Sequence, residues 1–574
     1  MSNIYNKIGQ ATLLVTATLS LGSCDDFLDL EPLNEIVLDN YWKDKSDVES
    51  VVYGCYSAME ATDFMNRLFI WGDVRSDDVI YSKSGNSTNL RMISEENILE
   101  TNPFMNWVSF YQVINRCNTV IYYAPIVAQK DPNYSDSEVK ANIAEATWIR
   151  TFCYFYLART FRDVPYTDQP SLDDADIEKD YRLKPTPFKE LLAQLSSDME
   201  AVKDDAIRYY PPMQSGNNEL TNPYNTSRIT TCAMYALLAD LYLWQDNYEK
   251  CVECTQKVFD YKNTLYEEVK NENPNYVSDI RLYADKYPLI MDQTQGSATT
   301  GNAQTEIFGD GNSFESIFEL DFNHGSSYNV LCHTDASSSQ YSYFYNNSDN
   351  GVFEAYFQIS DGIAKDANKY FKYTDNRGYA YFKTSETQSL ITKFSYSRFS
   401  YTPLTASGTA PAVNTTSHTG YQNWILYRLT DVMLMRAEAL IEMGSEENLN
   451  EAFELISAIY NRSNNQEESG NHILSADNYK TQASMRELVR LERHRELMFE
   501  GKRWFDLVRY ALRDGYNDDL INAVLAKQEK NANKIRIQLQ SQDALFWPYA
   551  ESEVDLNHNL TQNAAYITNE TSEK

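Results

Sequence analysis

The chain has few basic side chains for its acidic ones, with 50 lysines and arginines against 82 aspartates and glutamates and a formal net charge of -32. That surplus of negative charge repels phosphate backbones, and no basic stripe reverses it locally, which argues against nucleic-acid binding. Histidine is scarce, and the six histidines are scattered without metal-ligand spacing. The sequence contains no zinc-protease motif, phosphate-binding loop or nucleophile elbow. We therefore expect no cofactor, no metal and no catalysis.

The chain also lacks an apolar run long enough to cross a membrane as a helix. A spanning helix needs about 20 apolar residues, whereas the run near the N-terminus covers only residues 11–21. This length is typical of the core of a signal peptide, which we assign to residues 1–23. We expect the rest of the chain to be soluble.

The tetrapeptide LGSC, which ends at Cys24, places an aliphatic and two small residues before a cysteine. It resembles the bacterial lipobox, in which the cysteine sulfur is lipidated and the new amino terminus is acylated. Two or more acyl chains anchor a protein stably, so Cys24 is the predicted lipid attachment site and residues 24–45 are the tether. The acidic pair at 25–26 resembles the surface-export signal of lipoproteins in Bacteroidetes-type bacteria. The alternative is a signal peptide followed by a chance cysteine.

The other cysteines do not form a recognisable framework, because they are odd in number and scattered along the chain. Cys251 and Cys254 form a CxxC pair within a helical pattern, without a second pair or neighbouring histidines. We interpret them as small buried side chains rather than a zinc or redox site.

Apolar residues at spacings of three and four predict a mainly α protein. A capping box at Ser46–Glu49 opens the first predicted helix. Two helix pairs, 233–244 with 248–261 and 429–443 with 451–460, have the helix-turn-helix plan of tetratricopeptide-like hairpins. A single long helix is expected near 480–511, bent or closed at Gly501. We interpret its dense mixture of Glu and Arg as a charge network that ties this helix to its neighbours, with catalytic carboxylates as the alternative. We predict one domain over residues 46–574, made of a helical scaffold (46–262 and 428–511), an irregular insert (about 265–425) and a C-terminal extension (512–574).

The insert is rich in Gly, Ser, Asn and Thr, and its short alternating segments predict a few strands. It holds 17 aromatic residues between positions 341 and 401. We expect most of them to pack the loops onto the helices and a few to line a ligand groove.

Three segments carry a family resemblance. Residues 144–159 read AEATWIRTFCYFYLAR, residues 491–509 read LERHRELMFEGKRWFDLVR, and a Trp-Pro pair opens the related C-terminal stretch at 547–563. Together with the lipobox they resemble the SusD/RagB family of nutrient-binding outer-membrane lipoproteins, from one end of the chain to the other. Arg162, where the family usually has glycine, is a departure that affects only the expected local turn.

The resemblance implies a SusD-like fold of tetratricopeptide-like helical hairpins with a large irregular, loop-rich ligand-binding region. It also implies a lipid-anchored, surface-exposed position at the outer membrane. There the protein would bind oligosaccharides or other nutrients and deliver them to a SusC-like TonB-dependent transporter. Sugars stack their apolar faces on aromatic rings and bond their hydroxyls to polar side chains, so no cofactor is needed.

The predicted ligand contacts combine aromatic and charged groups. The main candidates lie in the segment WGDVRSDD, and further aromatic residues are weaker additions: Trp71, Asp73, Arg75, Asp77, Asp78, Trp107, Tyr343 and Tyr345. Ordinary packing is the alternative for each, with Arg75 and Asp77 as a structural ion pair. For the whole protein the alternatives are a surface glycoside hydrolase and an adhesin. The ligand itself, glycan or peptide, and a structural calcium stay open.

Overall fold

Helical hairpins form the body of the protein in the computed structural model. It describes residues 41–567 except 84, 212–221, 273–277, 292, 296–297, 301, 323–327, 333–341, 345, 349–350, 354, 366, 373, 385–388, 403–411, 418–420, 465–473 and 529. The predicted signal peptide, Cys24 and most of the predicted tether lie outside these residues.

Helices dominate the chain, as predicted. In order they are α1 (Lys45–Met59), α2 (Thr62–Phe69), α3 (Thr88–Ser94), α4 (Val108–Ala128), α5 (Asp136–Phe161), α6 (Asp174–Asp180), α7 (Phe188–Val202), α8 (Tyr224–Ser227), α9 (Thr231–Trp244), α10 (Tyr248–Glu272), α11 (Asn302–Gln304), α12 (Asp361–Lys365), α13 (Ala367–Tyr370), α14 (Arg377–Ala380), α15 (Leu429–Met443), α16 (Glu446–Ser463), α17 (Gln482–Leu497), α18 (Arg503–Asp514), α19 (Asp518–Ala526), α20 (Ala532–Leu539) and α21 (Glu551–Leu556).

The strands are short and mostly lie in the irregular insert. They are β1 (Val79–Tyr81), β2 (Val164–Pro165), β3 (Pro185–Thr186), β4 (Ile280–Tyr283), β5 (Tyr287–Ile290), β6 (Gln293–Gln295), β7 (Ala298–Thr300), β8 (Ser316–Leu320), β9 (Asn346–Ser348), β10 (Gly351–Phe353), β11 (Phe357–Ile359), β12 (Phe382–Thr384), β13 (Ser389–Ile391), β14 (Tyr396–Thr402), β15 (Ala412–Ser417) and β16 (Trp424–Arg428). Most pair in twos, while β15, β14, β7 and β6 form an antiparallel sheet of four. In the longest-range pairing, β1 joins β11 antiparallel, with Val79 opposite Ile359.

The two predicted hairpins are confirmed as α9 with α10 and α15 with α16, and α10 also packs on α15. Small residues allow this close approach: Ala236, Ala239, Ala437 and Ala439 are all fully buried between helices. The turn of the second hairpin begins at Gly444, whose φ of 75° favours glycine and ends α15.

The helix expected near 480–511 is two helices, and its break positions the region around the predicted site. Between α17 and α18, Phe499 has a φ of 67° and Gly501 a φ of 72°. The backbone here passes very close to Gly72, where an added Cβ would lie 1.9 Å from the Gly501 carbonyl oxygen. Glycine at position 72 therefore lets the 498–502 corner pack directly on the segment that follows α2.

The predicted charge network that ties this region to its neighbours is confirmed, and it is buried rather than solvated. Glu496 accepts hydrogen bonds from the guanidinium groups of Arg377, Arg428 and Arg462. Arg493 lies between two carboxylates, Asp431 and Asp506, each 3.1 Å away: Asp431 on α15 and Asp506 on α18. The charges hold α15, α16, α17 and the irregular insert together.

The first described residues already belong to the core. Trp42 is buried and stacks on Tyr123, with ring centroids 4.5 Å apart. The capping-box prediction was wrong by two positions: Asp44 caps α1 by accepting from the Ser46 amide, and the Asp47 carboxylate bonds back to the Asp44 amide. The folded body therefore includes part of the predicted tether. Within the described ranges, no helix is both long and apolar enough to cross a membrane.

Candidate functional site

The segment predicted to contact a ligand, residues 71–78, lies inside the protein. It begins in a π-helical turn, Ile70–Val74. Trp71 is fully buried, and its indole Nε1 donates a hydrogen bond to the carbonyl oxygen of Phe104 at 2.9 Å. Its ring stacks on Phe110, with centroids 5.0 Å apart. Enclosed in this way, the ring has no free face for a sugar.

Asp73 and Asp78 are fully buried and contact the last turn of α17 and the corner that follows it. Asp73 Oδ2 accepts a hydrogen bond from the Gly501 backbone N–H at 2.7 Å. Asp78 Oδ1 lies 2.6 Å from His494 Nε2 on α17. Burial, together with the nearby charge of Asp78, raises the pKa of Asp73 well above its ordinary value. Both carboxylates thus serve as internal links between segments that are distant in sequence.

Arg75 is fully buried between two tryptophan rings. Its Nε and Nη2 donate hydrogen bonds to Glu96 Oε1 at 3.1 Å and Oε2 at 2.8 Å. Its guanidinium carbon lies 4.1 Å from the ring centroid of Trp504 and 5.6 Å from that of Trp547. The ion-pair alternative for Arg75 was right in kind but wrong in partner, which is Glu96 rather than Asp77.

Asp77 pairs instead with Arg503, the first residue of α18. The Arg503 Nε donates to Asp77 Oδ1 at 2.8 Å and its Nη2 donates to Oδ2 at 3.1 Å. Burial alone would raise the pKa of Asp77, but the Arg503 charge outweighs it and the pKa lies below its ordinary value. Asp77 is therefore an ionised carboxylate held in a two-pronged ion pair.

The weaker candidates are also internal. Trp107 packs edge-on against Phe161, with centroids 5.2 Å apart, and Tyr343 packs edge-on against Phe69 at 6.1 Å. Both rings are buried. Tyr345 lies outside the described residues. Ligand contact by these predicted residues stays a prediction, and the described ones offer almost no exposed surface to support it. Asp77 differs in that it also lines an open groove.

This groove, with a volume of about 740 Å³, runs along α17, α18 and the start of α19. The volume is within the usual range for ligand sites. Its sides mix aromatic, aliphatic and charged groups: Asp77, Tyr370, Ala483, Arg486, Glu487, Arg490, Leu491, His494, Arg503, Leu507, Tyr510, Arg513, Asp514, Tyr516 and Asp519. Tyr516 is the most exposed aromatic ring of the groove, with 54% of its surface accessible.

Four arginines and four acidic residues line the groove. Arg490 bonds to Asp514, and to Asp519 at 2.8 Å. Arg513 lies 2.9 Å from Asp514 Oδ1. The pKa of Asp514, which burial alone would raise, is held below its ordinary value by these arginines. The chain as a whole has 82 acidic and 50 basic residues, but in this groove the numbers of acidic side chains and arginines are equal.

One cluster at the groove could in principle hold a cation, since single ligand atoms of Asp77, Asp78 and His494 lie within 4.8 Å of one another. All three side chains already have partners inside the chain. Arg503 engages both oxygens of Asp77, and His494 engages Asp78. We interpret the cluster as an ion-pair network, because an arginine beside Asp77 opposes a bound cation.

A second exposed aromatic surface lies away from the groove. Tyr328 and Tyr421 stack with ring centroids 4.8 Å apart, and Tyr328 is 46% exposed. Stacked tyrosines of this kind present an apolar face with polar tips, which also suits a saccharide. This pair is therefore the alternative to the groove as a site for ligand binding.

The groove was missed from the sequence. Its arginines were assigned to a structural charge network, and Tyr516 lies in the extension for which no site was expected. One available signal was the spacing of Arg486 and Arg490, which places both on one face of a helix. The sequence did not show that the start of α19 faces them.

Comparisons with known proteins agree with this architecture. A family model described as "SusD family" matches residues 189–566, and one described as "Starch-binding associating with outer membrane" matches residues 26–243. SusD-like protein P38 of Formosa agariphila is 24% identical over 516 residues, covering 88% of this chain and 92% of the relative. SusD-like protein P2 of the same organism is 23% identical over 517 residues, covering 87% of this chain and 90% of the relative.

Solved structures show the same fold. A SusD homolog from Bacteroides thetaiotaomicron superposes with a TM-score of 0.63 at 19% identity, covering 91% of this chain and 97% of its own. NanU of B. fragilis superposes with a TM-score of 0.59 at 17% identity, covering 94% of this chain and 100% of its own. At such identities the likeness concerns the fold.

Proposed function

The chain belongs to the SusD/RagB family, and we propose that it is a surface lipoprotein of the outer membrane that binds saccharides and passes them to a SusC-like TonB-dependent transporter. One observation carries the proposal: the two family models, one described as starch-binding and associating with the outer membrane, together span residues 26–566. The predicted lipid attachment at Cys24 supplies the membrane association.

The groove along α17 and α18 supports saccharide binding. Tyr516 offers an exposed ring, and the half-buried Leu491 adds apolar surface to the groove wall. A sugar ring stacks its C–H face on such surfaces, while charged groups alongside bond its hydroxyls. The mixture fits a ligand that is apolar on its faces and polar at its edges.

Binding without turnover is also supported by two of the four carboxylates that line the groove, Asp77 and Asp514. A glycosidase needs one carboxyl group that stays protonated near neutral pH, opposite a second that is ionised. Asp77 and Asp514 both have their pKa lowered by arginine partners, so neither keeps a proton for general acid catalysis. We propose that the protein is not an enzyme.

A glycoside hydrolase is the second candidate, and one residue favours testing it. Burial and the nearby Asp321 raise the pKa of Glu60 to about 7, as expected for a general acid. If the protein shortens oligosaccharides and Glu60→Gln abolishes this activity, the hydrolase proposal replaces the binding proposal. Unchanged oligosaccharides after long incubation favour binding alone.

The ligand site is tested with a panel of oligosaccharides and three matched tyrosine variants. Tyr516→Ala is expected to weaken binding about fivefold, because stacking of a sugar face on one aromatic ring contributes on the order of 1 kcal/mol. Tyr181→Ala removes a similarly exposed ring, 43% accessible and outside the groove lining, and should have no effect. If Tyr328→Ala weakens binding and Tyr516→Ala does not, the saccharide binds at the Tyr328–Tyr421 pair instead.

The anchor and the partner are tested in membranes. Cys24→Ala should release the protein into the soluble fraction, and retention in the membrane would contradict the lipoprotein assignment. Native purification from detergent-solubilised outer membranes should recover a large β-barrel protein together with the chain. Recovery of the chain without any barrel, under conditions that keep known outer-membrane complexes intact, would contradict the transporter partnership.

A further inference from the structure

Three hydrogen-bond donors in the groove lack a partner among the described residues: Arg490 Nε, Arg513 Nη2 and the Tyr510 hydroxyl. All three side chains line the groove. An unpartnered donor at a buried position costs free energy, so an acceptor oxygen that reached any of these three groups would be stabilised by its hydrogen bond. Arginine nitrogens only donate, so the ligand chemistry that complements these groups is rich in acceptor oxygens.

Tyr510 brings these donors together. The guanidinium carbon of Arg490 lies 4.6 Å from its ring centroid, and that of Arg513 lies 5.4 Å away. Burial raises the pKa of Tyr510, so its phenol stays protonated and able to donate. Tyr510 thus packs against both guanidinium groups, and its own hydroxyl is a third donor.

Asp519, which forms an exposed ion pair with Arg490, is easily replaced by another anion. Asp519 holds Arg490 Nη1 at 2.8 Å, but its own side chain is 61% exposed. An exposed ion pair contributes little to stability, about 0–1 kcal/mol. An anionic group of a ligand could therefore take the place of Asp519 beside Arg490 and gain the two-pronged geometry that guanidinium groups favour.

We propose that the groove takes an acidic saccharide, whose carboxylate or sulfate-ester oxygens accept hydrogen bonds from Arg490, Arg513 and Tyr510. The inference rests on the proposed saccharide-binding function and names the ligand class for that same site. In a chain with a net charge of -32, an acidic ligand is repelled from most of the surface and is favoured where arginines are concentrated.

The test compares three probes on the full chain by calorimetry: oligogalacturonate for the carboxylate, a sulfated galactan oligosaccharide for the sulfate ester, and a neutral galactan oligosaccharide of the same length. At least one of the two acidic probes, the carboxylate or the sulfate ester, should bind at least tenfold more tightly than the neutral probe. Its affinity should fall with added salt, because the contacts are ionic. Whichever acidic probe binds identifies the carboxylate or the sulfate ester.

Two variants change the affinity in opposite directions. Tyr510→Phe keeps the ring and removes one donor, so it should weaken the acidic probe about tenfold and the neutral probe clearly less, because a hydrogen bond to a charged acceptor is the stronger one. Asp519→Asn removes the competing acid and should strengthen the acidic probe about two- to fivefold. A gain in affinity cannot result from misfolding, so this variant keeps the test valid even if Tyr510→Phe folds poorly.

Each outcome is decisive. Equal binding of neutral and acidic probes, with a loss in Tyr516→Ala, would overturn the acidic-ligand proposal and leave the saccharide-binding function standing. Failure of every saccharide to bind would overturn the proposed function itself. Tight binding of an acidic probe that neither Tyr510→Phe nor Asp519→Asn alters would place the anion elsewhere on the protein.

Discussion

Replacing Arg75 with alanine separates a structural role from a ligand-binding role for the segment that the sequence indicated. Arg75 is fully buried and bonds Glu96 with two nitrogens, and its Nη2 also donates to the Ala544 carbonyl oxygen at 2.9 Å. It lies over the Trp504 ring, 4.1 Å from the centroid. Truncation therefore removes one partner of a buried ion pair and leaves Glu96 without its counter-charge.

The expected cost follows from these contacts. Breaking a buried ion pair by removing one partner costs about 3–5 kcal/mol, and the lost carbonyl bonds and cation–π contact add to this. We therefore expect Arg75→Ala to lower the free energy of unfolding by at least about 3 kcal/mol. In the double variant Arg75→Met/Glu96→Gln both charges are absent, so the loss should be smaller than the sum of the single losses.

The assay is chemical denaturation followed by tryptophan fluorescence, with saccharide binding measured where each variant is folded. Arg75→Ala should shift the denaturation midpoint strongly and, while folded, bind saccharide like the unmodified protein. Additive effects of Arg75→Met and Glu96→Gln would contradict the ion-pair account. Loss of binding without any loss of stability would refute the reasoning and return Arg75 to the ligand site.

Three further predictions test the packing and the charges. Glu60→Gln should stabilise the protein by about 1–3 kcal/mol at pH 8 and leave its stability unchanged at pH 4. The pKa of Glu60 in the folded protein is raised to about 7, so the folded state loses stability as the pH rises from the ordinary pKa of glutamate through 7, and glutamine avoids this loss. An effect on denaturation curves that does not depend on pH would contradict this. Gly72→Ala should destabilise the fold strongly, since its Cβ would lie 1.9 Å from the Gly501 carbonyl oxygen. Gly515→Ala is the control: no atom lies within 4 Å of the added Cβ, so at a φ of 75° it should cost only backbone strain of about 1–2 kcal/mol. Equal shifts of the melting temperature in the two variants would contradict the close approach at Gly72. Glu496→Gln should cost about 3–5 kcal/mol, because it leaves three buried arginines short of a counter-charge, and a midpoint within error of the unmodified protein would show that the network is not needed.

The helical hairpins could be predicted from the sequence because their signals are local. The spacing of apolar residues and the small residues at Ala236 and Ala437 belong to single helices, and each hairpin turn lies within a few residues. The break between α17 and α18 was only partly predictable. Gly501 indicated a bend, but the positive φ of Phe499 depends on the packing of this corner against the segment that follows α2.

The burial of residues 71–78 could not be read from the sequence. A run with three aspartates and an arginine has the composition of an exposed loop. In the fold, Asp73, Asp77 and Asp78 find their partners in Gly501, Arg503 and His494, all more than 400 positions away. Side chains with such partners can be buried, but sequence periodicity carries no information about contacts of that range.

The groove eluded sequence analysis for the same reason. Arg490, Arg513 and Tyr516 lie on different elements, and the charge pattern of each helix taken alone is that of a solvated or inter-helix face. Only the packing of α17 against α18 and α19 brings their donors together over Tyr510.

The most direct test of saccharide binding without turnover is calorimetric titration of the unmodified protein with the oligosaccharide panel, with chromatography of the recovered ligand. We predict saturable binding of at least one saccharide, which is weakened by Tyr516→Ala and recovered at its original length. Recovery of shortened chains, or the absence of saturable binding to any saccharide, would contradict the account.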